Sequence, residues 1–449
     1  MLLCAIIYLI AIAIIGLYDS FFIKNYDDFV VAGRRQSETI VLLSLIATMI
    51  GASATIGAVD QAYNIGFPAF WWLGSGAVGM FIQSILLSKK VRALNAYTLP
   101  DIAEKTSGKA GKTIIAIIIV FSWTGIIAAQ FTALNQLFKL LVPYISDNIL
   151  LIAVAAIVIL YTIIGGQLSV IKTDAIQCLL LLIGFAATFI FLIINKPFYN
   201  ILGQIELFNS NHGIRELIPQ LFIVGGTYFL GPDILSRNLS SKDGETAKKS
   251  AFKAGIVLCA FSVCIAIIGL WAKINLPEIE GSVMIFIISH LPLALKITLG
   301  LGLVSALLSS ADTCLINAST ILENDIVVHK TDRIKYIRIF IVIIGSISFL
   351  IAVFNKNIIS LLTSVYSIYS PGIVCPLLIS ILAHNKRAIN KPIWFAAIIS
   401  GSGLGALSSI ANSTYLPLIG MALSLLLSLI SIITPTPASN KKQLLLKQK

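Results

Sequence analysis

Thirteen apolar runs, each long enough to cross the hydrocarbon core of a bilayer, fix the class of fold open to this chain. They lie near 2–18, 40–63, 68–88, 113–137, 148–165, 173–195, 216–235, 253–272, 296–321, 336–355, 358–383, 393–412 and 415–434. A spanning helix needs about 20 apolar residues, and backbone groups that meet no water must be satisfied inside the helix itself. The expected fold class is an all-α polytopic membrane protein of about 13 transmembrane helices. Hydrophobic residues make up 57% of the chain and charged residues 12%, a balance that excludes folding in water.

The charges are spread over many short loops, so the net +12 reads as membrane topology, and no nucleic-acid partner is expected. No Lys or Arg precedes Lys24 and no small-residue cleavage site closes the first run, which is therefore expected to be a retained helix rather than a signal peptide. An odd helix count puts the termini on opposite faces. With the N-terminus outside and the C-terminus cytoplasmic, twenty-six Lys and Arg residues fall inside, Arg237 among them, and six fall outside: Lys139, Lys196, Arg215, Lys273, Lys296 and Lys356. That bias follows the positive-inside rule. The expected location is the cell (inner or plasma) membrane, with lipid as the surrounding partner and the oligomeric state left open.

Six cysteines (Cys4, Cys178, Cys259, Cys264, Cys314 and Cys375) sit in apolar segments without CxxC spacing and read as packing residues. The four histidines, His212, His290, His329 and His384, lie at or beyond helix ends with no HExxH pairing, and no enzyme is expected.

The stretch Ser305–Thr313 carries hydroxyls and a carboxylate to membrane depth inside a long apolar helix. An Asp near a helix centre costs about 3 kcal/mol on insertion scales, so Asp312 needs a cation, hydroxyl or water beside it. Residues three and four apart share a face, so Ala306, Ser309, Ser310 and Thr313 form one stripe able to offer oxygens to a singly charged cation. Two other helices are interrupted, one by Gly51–Gly57 and one by Gly225–Pro232. Each opens a block of five helices. Interruptions at matching places in two halves point to a five-plus-five inverted repeat, in which freed backbone groups bind ions and substrate at mid-membrane. The alternative is that these glycines only allow close helix packing. The expected divisions are 1–38 (an extra helix and loop), 39–195 (first repeat), 196–384 (second repeat), 385–434 (two further helices) and 435–449 (a basic tail).

At these residues the chain resembles the sodium:solute symporter family, over about residues 26–384. Asp28–Arg34 resembles the entry to the family's first core helix, and Tyr97-Thr98-Leu99-Pro100-Asp101 its loop after the second. Gly165-Gly166-Gln167 followed by Thr173–Gln177 is similar to the opening of the fifth core helix. Tyr228-Phe229 with Pro232, Ile234, Leu235 and Arg237 is similar to the sixth core helix of proline-type members. The resemblance implies a LeuT-type fold with one helix before the repeats and two after, and Na+ as the coupling ion. It also implies a principal sodium site of backbone carbonyls at Ala47, Ile50 and Ala306 and hydroxyls of Ser309 and Ser310. A second ion site, held by some members, would fall on Asp174, Ser309, Asp312 and Thr313. Asp312 departs from members with Ser there and is similar to the choline-type pattern. Asp174 also sits where an acid caps a helix's first turn.

Ser53, Ala54 and Thr55 stand where sugar-binding members carry large polar residues, and Val224 where proline-type members carry Trp. Ser53, Thr55, Trp123, Gln130, Tyr228, Phe229 and Tyr366 are the expected wall of a central substrate pocket. Asp60 adds a carboxylate that suits a cationic or quaternary ammonium solute. The function expected is sodium-coupled import of a small organic solute (an amino acid, pantothenate, or a choline- or betaine-like compound) by alternating access. Proton coupling through Asp174 or Asp312 is the first alternative. A membrane sensor is the second; with about fifteen residues after the last helix, it would need a separate signalling partner.

Overall fold

The computed structural model describes residues 2–195, 199–276, 278–383, 388–411 and 413–434. The tail 435–449, together with Lys196, His384, Lys386 and Arg387, lies outside the described residues. Its main helices are α1 (Leu2–Ser20), α2 (Glu38–Met49), α3 (Ala58–Ile65), α4 (Trp71–Leu86), α5 (Lys109–Leu141), α6 (Asp147–Asn195), α7 (Ile214–Leu230) and α8 (Pro232–Ser240). They continue as α9 (Gly244–Asn275), α10 (Leu293–Ile321), α11 (Arg333–Phe354), α12 (Ile358–Tyr369), α13 (Cys375–Ala383), α14 (Lys391–Ala411) and α15 (Leu416–Ile433). Shorter helical turns join them, and no strand is formed among the described residues beyond two isolated bridges.

Among the described residues, ten helical spans, one of them joining α12 and α13, are long and apolar enough to cross a membrane, eleven when α2 and α3 with the turn between them count as one bent span. The thirteen runs of the sequence exceed that number for two visible reasons. Runs 148–165 and 173–195 lie in the single helix α6, 49 residues long, which turns at Gly166 with φ 54°. Tyr161 and Thr173 share a 2.7 Å hydroxyl contact across that turn. Twelve residues of straight helix would hold them about 18 Å apart, so the two arms fold back on each other. Run 216–235 is divided between α7 and α8 at Gly231–Pro232.

The interior is built by close approach of small residues. A Cβ at Gly184 would lie 2.7 Å from the Thr298 carbonyl and one at Gly302 2.9 Å from that of Leu180, so glycine lets α6 and α10 run side by side. Both helices carry groups of the site described next. α1 leans on the same pair: Ser305 donates a 2.7 Å hydrogen bond to the Tyr8 hydroxyl. The opposite face of α1 presents Leu3, Ile7, Ile10 and Ile14 outward, an apolar stripe at helical spacing suited to lipid.

At one end of the bundle, ion pairs tie loops to helices. Lys112 reaches Asp101 at 2.6 Å and the buried Asp325 at 3.1 Å, and Arg333 reaches the buried Glu323 at 2.8 Å.

Candidate functional site

The first interruption is a 65° bend between α2 and the segment Ser53–Ile65. The Ile50 N–H still bonds to the Ile46 carbonyl at 3.1 Å, and Ile50 then leaves helical geometry with φ −98° and ψ 72°. Beyond it, Ser53–Gly57 forms a wider turn in which the Gly57 N–H reaches the Ala52 carbonyl at 3.0 Å. Side chains from other helices take up the freed backbone groups. Gln130 of α5 accepts from the Ala52 N–H at 2.9 Å, Ser310 of α10 donates to the Thr48 carbonyl at 2.9 Å, and Tyr228 of α7 donates to the Met49 carbonyl at 3.0 Å. Thr55 closes the turn on the Gly51 carbonyl at 2.8 Å. Three helices thus converge on the bend, at the last carbonyls of α2 and the Ala52 amide beyond it.

The second interruption is narrower than the sequence suggested. α7 stays helical through Gly225 and Gly226, and the chain breaks only at Gly231, with φ −65° and ψ 135°. Gly225 is a packing residue, since its added Cβ would stand 2.8 Å from the Ser75 carbonyl. At the break, Tyr369 donates to the Leu230 carbonyl at 2.6 Å and Gln83 to that of Phe229 at 3.1 Å. For the sequence reading this is a correction: the packing alternative holds for Gly225, and the Gly231-Pro232 pair makes the break.

Of the residues expected to hold sodium, Ala47 and Ile50 lie at the first interruption and Ser310 reaches it from α10, whereas Ser309 donates its hydrogen bond to Asp174. Ala47, Ile50, Ala306, Ser309 and Ser310 are all buried, and Ser310 touches the backbone at Thr48, between the two α2 carbonyls named from the resemblance. The expected second-ion residues gather around a group that the sequence reading placed elsewhere. Arg237 of α8, counted as a cytoplasmic loop charge, is instead fully buried. Its guanidinium donates to Asp174 at 2.8 Å, Thr313 at 2.5 Å, Ser44 at 3.0 Å and Ser236 at 3.1 Å. Asp174 also accepts from Ser44 and from Ser309, each at 2.5 Å. The chain's own cation thus engages Asp174 and Thr313, two of the four expected second-ion residues. Asp174 is no mere helix cap. Asp312, next to Thr313, is fully buried, and among the described residues neither of its carboxylate oxygens has a hydrogen-bond partner.

A small cavity of about 30 Å³ lies between the two interruptions, room for about one water. Of the residues named from the sequence for a substrate pocket, Ser53, Trp123, Gln130, Tyr228 and Tyr366 border this cavity, together with Thr48, Met49, Gly51, Ile126, Thr227, Asp233, Ile234, Ser310 and Cys314. Thr55, Phe229 and Asp60 do not. Thr55 serves the bend, and Phe229 offers its carbonyl to Gln83. Asp60 caps an outer helix: its Oδ1 accepts from the Val283 N–H at 2.8 Å and the Ser282 hydroxyl at 3.2 Å, at the start of the helix Val283–His290. In this structure Asp60, read from the sequence as a pocket residue, instead holds the start of that outer helix and does not border the cavity. Cys314, read as packing, borders the cavity, and Asp233 was missed because it follows Gly231-Pro232 and looks like a first-turn acid.

The profile of the sodium:solute symporter family matches residues 29–399. Among curated relatives, the sodium/glucose cotransporter of Vibrio parahaemolyticus is 27% identical over 68% of this chain and 63% of its own length. The sodium/proline symporter of Haemophilus influenzae is 27% identical over 58% of this chain and 55% of its own. The matches therefore span less than two thirds of either relative. Among solved structures, a substrate-bound, outward-open Na+-coupled sialic acid symporter superposes with a TM-score of 0.79 at 18% identity, covering 96% of both chains. A nucleobase-cation-symport-1 family transporter in a closed conformation gives 0.63 at 14% identity, covering 94% of this chain and 99% of its own. At these identities the likeness is one of fold.

Proposed function

The chain belongs to the sodium:solute symporter family, and on that premise we propose that it drives a small organic solute across the cell membrane by coupling it to inward sodium movement. The observation that carries this reading is the contact of Ser310 with the Thr48 carbonyl in the last turn of α2, where the bend begins. A hydroxyl-rich helix beside a broken one supplies neutral oxygens, which bind a singly charged ion weakly enough to release it. Sodium is then cargo held by the carbonyls of Ala47, Ile50 and Ala306 and the hydroxyls of Ser309 and Ser310. Its arrival draws α10 onto the bend and shapes the adjoining cavity, and its loss on the other side loosens both. Because the cavity holds about one water, a solute enters only when the half-helices part, as alternating access requires. Two repeats, 39–195 and 196–384, would rock about this centre. The positive-inside bias supports an outside N-terminus and a cytoplasmic C-terminus. Amino acids, pantothenate and choline- or betaine-like compounds are the candidate solutes.

Purified protein in sealed proteoliposomes tests this. Labelled solutes from each class are offered with and without an inward sodium gradient, and uphill uptake that needs the gradient is expected. Downhill equilibration alone would make the protein a passive pathway.

One observation favours a second reading, proton coupling: among the described residues the buried Asp312 carboxylate has no hydrogen-bond partner, and an intramembrane acid of this kind serves proton relays elsewhere. Uptake driven by a proton gradient in sodium-free buffer would favour it over sodium coupling.

A further inference from the structure

The central cavity contains one ionisable carboxylate, and nothing in the wall balances it. Among the residues lining the cavity, Asp233 is the one acid, and no Lys or Arg lines it. Among the described residues Asp233 has no ion-pair partner, and its Oδ1 is shut away from solvent without a hydrogen bond. The nearest candidate along the helix is Arg237, one turn on, and its guanidinium is directed to Asp174, Thr313, Ser44 and Ser236. The carboxylate lies over the second break, where a Cβ on Gly231 would stand 2.7 Å from Asp233 Oδ1.

A helix's first turn favours an acid through its dipole, but that effect accounts for position and not for the unpaired oxygen inside a membrane protein. Such a group is costly without a partner. Across the same cavity stand the aromatic rings of Trp123, Tyr228 and Tyr366. Aromatic faces attract an ammonium through their quadrupole, more strongly when water is excluded.

Resting on the symport reading above, we propose that Asp233 recognises the charged nitrogen of the transported solute, and that the solute is a small organic cation bearing an ammonium group, held between this carboxylate and the aromatic wall. A solute carboxylate would meet Asp233 as a like charge, and the cavity offers no basic side chain to offset it. The discriminating carboxylate is thus at the second helix break and not at Asp60.

Ligand binding to purified protein tests this independently of transport. Thermal stability of the full-length protein in sodium buffer is followed with tetramethylammonium, choline, betaine and pantothenate, for the wild type and for Asp233→Asn and Asp233→Glu. Choline and tetramethylammonium are expected to stabilise the wild type, and betaine and pantothenate much less. Asp233→Asn is expected to weaken choline by roughly thirtyfold or more, the usual scale for losing one partner of a buried charge pair, with Asp233→Glu recovering part of it. Sodium-dependent stabilisation without solute should be the same in all three proteins, which also establishes that the variants are folded. Stabilisation by pantothenate or betaine above choline, no response to either ammonium probe, or an unchanged choline response in Asp233→Asn would overturn the assignment. Failure of the symport reading appears separately, as wild-type protein that binds choline but shows no gradient-driven uptake in proteoliposomes.

Discussion

Arg237 and Asp174 meet at 2.8 Å with both side chains sealed from solvent, joining the short helix after the second break to the long helix α6. Ser44 of α2 and Ser309 and Thr313 of α10 complete the cluster. Four helices, α2, α6, α8 and α10, are thus tied around one ion pair.

Removing one member of a buried pair leaves the other charge uncompensated, which costs about 3–5 kcal/mol, whereas removing both costs much less. Asp174→Asn and Arg237→Gln should each lower thermal stability of the detergent-purified protein, and the double variant should be less destabilised than the sum of the two. Strictly additive losses would mean that the two side chains act separately.

Ser309 and Ser310 should separate into two kinds of sodium residue. Ser309 is bonded to a carboxylate and Ser310 to a backbone carbonyl at the bend. Bonds to charged groups contribute about 1.5–3 kcal/mol and neutral ones about 0.5–1.5. Each Ala variant should raise the sodium concentration for half-maximal uptake, by roughly tenfold, since 1.4 kcal/mol is one factor of ten. Ser309→Ala should also lower stability more than Ser310→Ala. Sodium dependence equal to wild type in both would reduce the serines to packing.

Asp60 supports the outer helix Val283–His290 through its N-terminal amides. Replacing a capping acid by Ala costs about 1 kcal/mol. Asp60→Ala should therefore lower stability modestly and weaken cationic, zwitterionic and anionic ligands alike, while Asp60→Asn, which keeps an acceptor oxygen, should lie close to wild type. Competition assays across the three charge classes check this, and selective loss of cations would return Asp60 to the pocket.

What the sequence made legible follows from which signals are local. Apolar runs mark helices because the bilayer demands them over about 20 residues, and the hydroxyl stripe from Ala306 to Thr313 is visible because its spacing is helical. Arg237 was not legible as an interior group: its partners Asp174, Ser44 and Thr313 lie on three other helices, and a lone Arg near a helix end is indistinguishable from a loop charge. Asp60 and Asp233 illustrate the same limit in opposite directions. Both are acids near a break, and only the tertiary contact of Asp60 with Val283 and the place of Asp233 in the cavity wall tell cap from pocket. Gly225 and Gly231 are alike in sequence, yet the proline after Gly231 cannot donate the helix bond, and the chain breaks there.

Gly51 gives the sharpest test that the first bend is functional rather than incidental. A Cβ on it would stand 2.6 Å from Ser310 Oγ and 3.0 Å from both terminal atoms of Gln130, the two side chains that hold the bend. Gly51→Ala must push these side chains away, opening the place where sodium and solute are expected to meet, while the outer surfaces of α2 and α3 stay in place. Sodium-driven uptake should fall to background in proteoliposomes, with a loss of thermal stability within the about 1–3 kcal/mol typical of overpacking. Gly225→Ala is the control: its Cβ meets the Ser75 backbone at 2.8 Å, away from the bend, so it should lower stability comparably while leaving the sodium concentration for half-maximal uptake near the wild-type value. If the two variants behave alike in sodium dependence, the bend at Gly51 is only a packing accommodation, and the sodium site must lie elsewhere.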